Sequence, residues 1–144
     1  MQKPAEQLGL VALPFYASSR EELEPAFRDM ARQRAQAVLV SPDAYFWGPR
    51  QLIAGLALSS RLPSIFAFAE FVDAGGLMSY GVDAREGVRR VAAYVAKILA
   101  GAKPADLPVE QPTKLDLTIN RGTAEALILS IPTALLFQAE RVIG

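Results

Sequence analysis

Apolar positions along this chain recur with two periods, about 2 and about 3.6 residues, the repeats of a strand and of a helix. Short apolar runs at residues 10–16 (LVALPFY), 37–40 (AVLV) and 65–68 (IFAF) read as strands, the last two of the buried type. Pro14 predicts an edge position or a bend for the first run, because proline has no N–H to give a ladder. Between these runs the apolar residues fall three and four apart. Residues 19–35 place Leu23, Phe27 and Met30 on one side of a helix, and Ser19 and Glu22 stand in capping-box spacing at its start. Pro25 falls in its early part, where proline does less damage than deep inside. Residues 44–47 form an aromatic loop, and 49–60 a second helix. The β-α-β-α-β order over residues 10–68 predicts an α/β fold: a parallel three-stranded core with right-handed crossovers and helices on both faces of the sheet.

The pattern continues past residue 68. Gly75 and Gly76 turn the chain into a short strand at 77–80, and Asp83 with Glu86 opens a helix at 84–99. That helix carries Val88, Val91, Ala92, Val95 and Leu99 at helical spacing and stops at Gly101. Residues 102–114, with Pro104, Pro108 and Pro112, read as an extended connector. Leu115, Leu117 and Ile119 then alternate with polar residues, the mark of a half-buried strand. Two helices, at 122–129 and 132–143, close the chain, the second with proline in its first turn. Residues 1–8 read as the end of a helix stopped by Gly9.

Composition narrows the chemistry. The 144 residues hold 15 basic and 15 acidic side chains with no long run of one sign, so the chain has no footprint of a nucleic-acid binder. With no cysteine and no histidine, it cannot by itself build a disulfide, a thiolate nucleophile or a Ser-His-Asp triad, and it lacks the commonest metal ligands. No apolar stretch approaches the roughly 18 residues of a membrane span. The start, MQKPAEQLGL, has no apolar signal-peptide core, which predicts a cytoplasmic chain as written or a piece of a longer precursor.

Candidate chemistry gathers at strand ends, where open α/β sheets bind ligands. Glu70 and Asp73 stand beside the glycine pair, where paired carboxylates read either as an acid-base pair or, with no partner base or metal site, as exposed loop acids; Glu70 at the strand end also reads as a ligand-binding acid. Asp43 with Tyr45, Phe46 and Trp47 would hold a small amine or aromatic ligand, or else plug an interface. Gly75 and Gly76 would let a backbone amide approach a ligand carboxylate, or simply make a tight turn. Their spacing fits neither a dinucleotide fingerprint nor a phosphate loop. Arg85, Arg89 and Arg90 read as a solvated helix face with no function.

Three segments, SPDAYFWGPRQLI, LPSIFAFAEFVDAGGLMSYGVD and AKILAGAKPADLPVEQPTKLDLTINRGTAEAL, resemble the ABC-transporter substrate-binding proteins of the tryptophan/tyrosine type. The resemblance covers nearly the whole chain. It implies a fold like a type I periplasmic binding protein, two α/β lobes joined by crossover strands with the ligand in the cleft between them. The family's usual chain is about twice as long, so this one resembles its C-terminal half: a partial ligand-binding lobe at 1–74 and a crossover segment at 75–144. Carried over by position, the ligand would meet Asp43, Tyr45 and Phe46 in the Pro-Asp-aromatic loop, then Phe68, Glu70 and Phe71 at the next strand end. Gly75, Gly76, Ser79 and Tyr80 match the crossover. Ile128 stands where relatives usually have a glycine near a helix end.

The resemblance implies a non-catalytic solute-binding component of an ABC importer, periplasmic, partnered by a permease, using no cofactor and no metal. Its ligand would be a small organic molecule such as an amino acid or an aromatic acid. The rival readings are a truncated lobe that only dimerises, and an α/β enzyme, against which the missing His, Cys and nucleotide loop argue. The apolar positions after Met78, including Leu115, Leu117, Ile119, Leu135, Leu136 and Val142, would then be covered in a two-fold homodimer.

Overall fold

The computed structural model describes residues 2–110 and 114–144. Pro112 of the expected connector lies outside the described residues. A five-stranded sheet forms in the order β1 (Val38–Leu39), β2 (Ser64–Phe66), β3 (Met78–Gly81), β4 (Asp116–Asn120), β5 (Arg141–Ile143). β1, β2 and β3 run parallel, β4 runs antiparallel to β3, and β5 runs parallel to β4. The expected α/β class holds and the sheet is mostly parallel, but several elements differ.

Residues 10–16 form no strand. Leu10, Val11 and Tyr16 stay exposed, no described strand lies beyond β1 to pair with them, and Pro14 removes one donor from any ladder. The third parallel strand is β3 instead. The second difference lies at the C-terminus. The helix expected at 132–143 is only α8 (Thr133–Gln138), after which Ala139 turns extended (ψ 127°) and Arg141–Ile143 joins the sheet as β5. Pairing of Ile119 with Val142 supplies the long-range partner that helical periodicity hides.

α1 (Gln2–Gln7) precedes the sheet, and α2 (Arg20–Arg32) packs Leu23 and Phe27, one turn apart, against it. The Ser19 side chain makes no cap hydrogen bond; Glu22 reaches back one residue further and accepts from Ser18 N at 2.6 Å. The expected aromatic loop is one helical turn, α3 (Ala44–Trp47), followed by α4 (Arg50–Ser59), which buries Ile53, Ala54 and Ala57. α5 (Ala69–Asp73) follows β2 directly. Leu23, Phe27, Val38, Ile53, Leu62, Phe66 and Phe71 make one core, in which the Phe66 and Phe71 rings stack at 4.8 Å. Gly75 ends α5 with φ +103°, a conformation that a Cβ would strain.

α6 (Ala84–Leu99) begins where Asp83 Oδ1 accepts from Arg85 N at 2.8 Å. It buries none of its residues: Val88, Val91, Val95 and Leu99 are all exposed. Leu117 and Ile119 behave otherwise. They are buried in the chain's own sheet and need no second copy to cover them, which corrects that part of the homodimer expectation. α7 (Arg121–Ala126) is capped by Asn120, whose Oδ1 accepts from Thr123 N at 3.0 Å. Ile128 follows it with φ +58°. Among the described residues, no helix is long and apolar enough to cross a membrane.

Candidate functional site

A cleft of about 220 Å³ opens at the C-terminal ends of β2 and β3. Because β4 is antiparallel to β3, the N-terminal ends of β4 and β5 meet the same edge. Ser79 and Thr118, opposite each other in the ladder and buried, form the floor. α5 supplies Glu70 and Asp73, and the start of α6 supplies Asp83 and Arg85. Asp116, Glu140 and Arg141 close the far side.

The strand ends sit tightly enough to specify residue size. A Cβ on Gly81 would lie 2.0 Å from the carbonyl oxygen of Ala67, so only glycine lets β3 pass the end of β2 here. Three contacts tie α5 to the second half of the sheet: Arg141 to Asp73 at 2.8 Å, Thr123 Oγ1 donating to Gly75 O at 3.0 Å, and Asn120 Nδ2 donating to Val72 O at 3.5 Å.

Most charges in the cleft have protein partners. Asp73 pairs with Arg141. Lys114 Nζ bridges Glu140 at 3.0 Å and Asp116 at 3.2 Å, and these acids, Glu140 foremost, hold the lysine above its usual pKa. Asp116 Oδ1 is closed to solvent, and its contact with Lys114 is ionic rather than an aligned hydrogen bond. Asp83 is occupied by its cap. Within the described residues, the Glu70 and Arg85 side chains make no hydrogen bond or ion pair.

Beside this cleft, across Ala67, lies a second hollow too narrow for a water molecule, bounded by Asp43, Phe66, Phe68 and Phe71. Trp47 packs edge-on to two of these rings, Phe68 at 5.3 Å and Phe71 at 6.2 Å. Asp43 caps α3 there, accepting from Tyr45 N at 2.8 Å.

The residues expected at the site therefore divide. Glu70 and Ser79 line the main cleft; Asp43, Phe68 and Phe71 line the adjoining aromatic hollow. Tyr45, Phe46, Gly75, Gly76 and Tyr80 line neither. Tyr45 stacks edge-on against Phe46, Gly76 presses on the Phe66 ring, and Tyr80 alternates with Ser79 onto the other face of the sheet. Sequence reasoning passed over Asp83, Arg85, Asp116, Thr118, Glu140 and Arg141. The strand-end rule applied to β3 finds the first two; the last two were hidden by reading β5 as helix. Among the described residues, no group of three or more acids is arranged to hold a metal ion.

A family model described as ABC transporter substrate binding protein matches residues 1–143. Among solved structures, the chain is similar to an ABC domain in complex with L-Trp from Streptococcus pneumonia, at 27% identity and a TM-score of 0.90, covering 99% of this chain and 48% of that one. It is similar to a conserved domain protein from Vibrio cholerae at 26% identity and a TM-score of 0.88, covering 96% of this chain and 46% of that one. A ligand-free, open substrate binding protein from Clostridium difficile shares the fold at 18% identity and a TM-score of 0.69, with 98% of this chain and 47% of that one covered. The chain thus spans about half the length of the solved structures it matches. No curated protein matches it.

Proposed function

The chain belongs to the family of ABC transporter substrate binding proteins, and from that premise we propose that it is a solute-binding part of an ABC importer. The observation that carries this reading is the strand-end cleft of about 220 Å³ with the Glu70 carboxylate free in its wall. The solved relative bound to L-Trp supports an amino acid or aromatic acid as the ligand. Within the main cleft a cationic group would meet Glu70, and an apolar part would lie beside Ala67, Ala69 and Val82. The function so read needs binding and release only, with no chemistry on the ligand. It carries with it a permease partner and a periplasmic location.

The test is thermal melting of the chain against a panel of amino acids and aromatic acids. A ligand at 100 times its Kd stabilises by about 2.7 kcal/mol, a readily measured shift. The expected result is a saturable rise with at least one panel member, weakened for cationic ligands by Glu70→Gln. No shift with any member at millimolar concentration refutes the reading.

A second reading, a homodimeric structural lobe, is favoured by the exposed stripe of Val88, Val91, Val95 and Leu99 along α6. Sedimentation at micromolar concentration separates the two. A two-fold dimer broken by Val91→Glu supports this second reading, and a monomer with the stripe in water removes it.

A further inference from the structure

We infer that Ser79 and Thr118 make the cleft selective for solutes whose inner end is an uncharged hydrogen-bonding group, a hydroxyl or a carboxamide. The inference rests on the solute-binding reading above and names the group that the floor recognises. Register brings the two residues together. Ser79 of β3 stands directly opposite Thr118 of β4, so both side chains leave the sheet on one face, and both line the cleft. Residues so paired hold their Cβ atoms about 4.5–5.5 Å apart. Two hydrogen bonds of about 2.8 Å that meet at one tetrahedral oxygen span a similar distance. One ligand group can therefore donate to one hydroxyl and accept from the other.

Both residues are buried, Ser79 at 2% and Thr118 at 3% exposure, yet neither hydroxyl has a hydrogen-bond partner among the described residues. Nor is either sealed in: of the described side-chain polar atoms, Asp116 Oδ1 alone is both closed to solvent and without a hydrogen bond. The two hydroxyls open into the cleft. A buried hydroxyl without a partner destabilises a fold, and alanine at 79 with valine at 118 would fill the same space without that cost. The charges around the pair are answered. Arg141 of β5 stands opposite Thr118 on its other side, and Asp73 holds it at 2.8 Å. Asp116, two residues from Thr118 and on the same face, shares Lys114 with Glu140. An ammonium or a carboxylate finds no free counter-charge in this row of the sheet. A hydroxyl or an amide, which both donates and accepts, matches two groups that do the same.

Three pairs of probes that exchange a hydroxyl or an amide for an apolar group of similar size test this. They are L-threonine and L-valine, L-glutamine and L-methionine, and 4-hydroxyphenylacetate and 4-methylphenylacetate, each titrated calorimetrically into the full chain. In any pair that binds, the polar member is expected to bind at least about ten-fold more tightly, as two hydrogen bonds allow. Ser79→Ala and Thr118→Val each bring the pair toward parity by weakening the polar member and sparing the apolar one, and Thr118→Ser keeps the preference. A wild type that binds both members equally, or Ser79→Ala and Thr118→Val chains that keep the wild-type preference, overturns the assignment while solute binding stands. So does a solute of the wider panel that binds when none of these probes does. Binding of no solute at all overturns it together with the reading it rests on.

Discussion

Replacing Ile128 with glycine should stabilise this protein. Six helices, α1, α2, α4, α5, α6 and α7, end in the same paired hydrogen-bond motif, with the residue after the cap at positive φ. At α7 that residue is Ile128, whose N–H bonds Glu125 O at 3.0 Å while Leu129 N bonds Ala124 O at 2.9 Å. A β-branched residue at φ +58° places its Cβ against the neighbouring carbonyl, a cost of roughly 1–2 kcal/mol. Glycine removes that cost but gives the unfolded chain extra freedom, about 0.4–1 kcal/mol in the other direction. The side chain is 87% exposed, so little burial is lost of the roughly 1.5–3 kcal/mol that a fully buried isoleucine would contribute. The net expectation is a gain of about 0.5–1 kcal/mol, or roughly 1–4 °C in Tm. Urea unfolding reads it as a higher midpoint at unchanged slope. Gly75→Ala, at φ +103°, should shift the midpoint down. A lower midpoint for Ile128→Gly would refute the reasoning and show that the loop after α7 relaxes around isoleucine at no cost.

Three further expectations follow from packing and charge. Gly81→Ala sets a Cβ 2.0 Å from Ala67 O, where backbone has to move, so it should cost at least the roughly 1–3 kcal/mol of overpacking in a denaturant melt; an unchanged midpoint would mean that β2 and β3 separate freely at the cleft. Ile119→Ala, at a fully buried position in β4, should cost about 2–5 kcal/mol by the same assay, and a loss under about 1 kcal/mol would contradict the burial. Lys114, raised by Glu140 and then Asp116, has a folded pKa above its unfolded value, so its contribution is complete below the ordinary lysine value of 10.5 and fades as pH rises through the folded one. The stability gap between wild type and Lys114→Met should therefore be constant at mildly alkaline pH and close at strongly alkaline pH; a gap that widens there would reverse the sign.

Local signals were legible wherever one residue's chemistry decides an element. Asp83 announces α6, Leu23 and Phe27 mark the buried side of α2, and the run at 65–68 overlaps β2. The apolar run at 10–16 has the composition of a strand, but pairing needs a neighbour, and no described strand stands beside it. β5 failed for the opposite reason: three residues carry no period of their own, and only the ladder with β4 makes them a strand. The site was half visible for the same cause. Glu70 and Ser79 lie within a few residues of a readable strand end, whereas Thr118 and Arg141 reach the cleft through antiparallel and parallel pairings distant in sequence. Arg85 was masked by periodicity: spaced four residues from Arg89, it looks like one more solvated helix charge, and its place at the cleft depends on where β3 ends.

The central claim, that the strand-end cleft holds a solute, is tested most directly by amide chemical shifts of the isotope-labelled chain during titration with L-phenylalanine. The account predicts saturable shifts at Ala67, Glu70, Ser79, Arg85 and Thr118, with Val88, Val91 and Val95 on α6 unmoved. Shifts confined to α6, or signals that stay in place up to millimolar ligand, would contradict it.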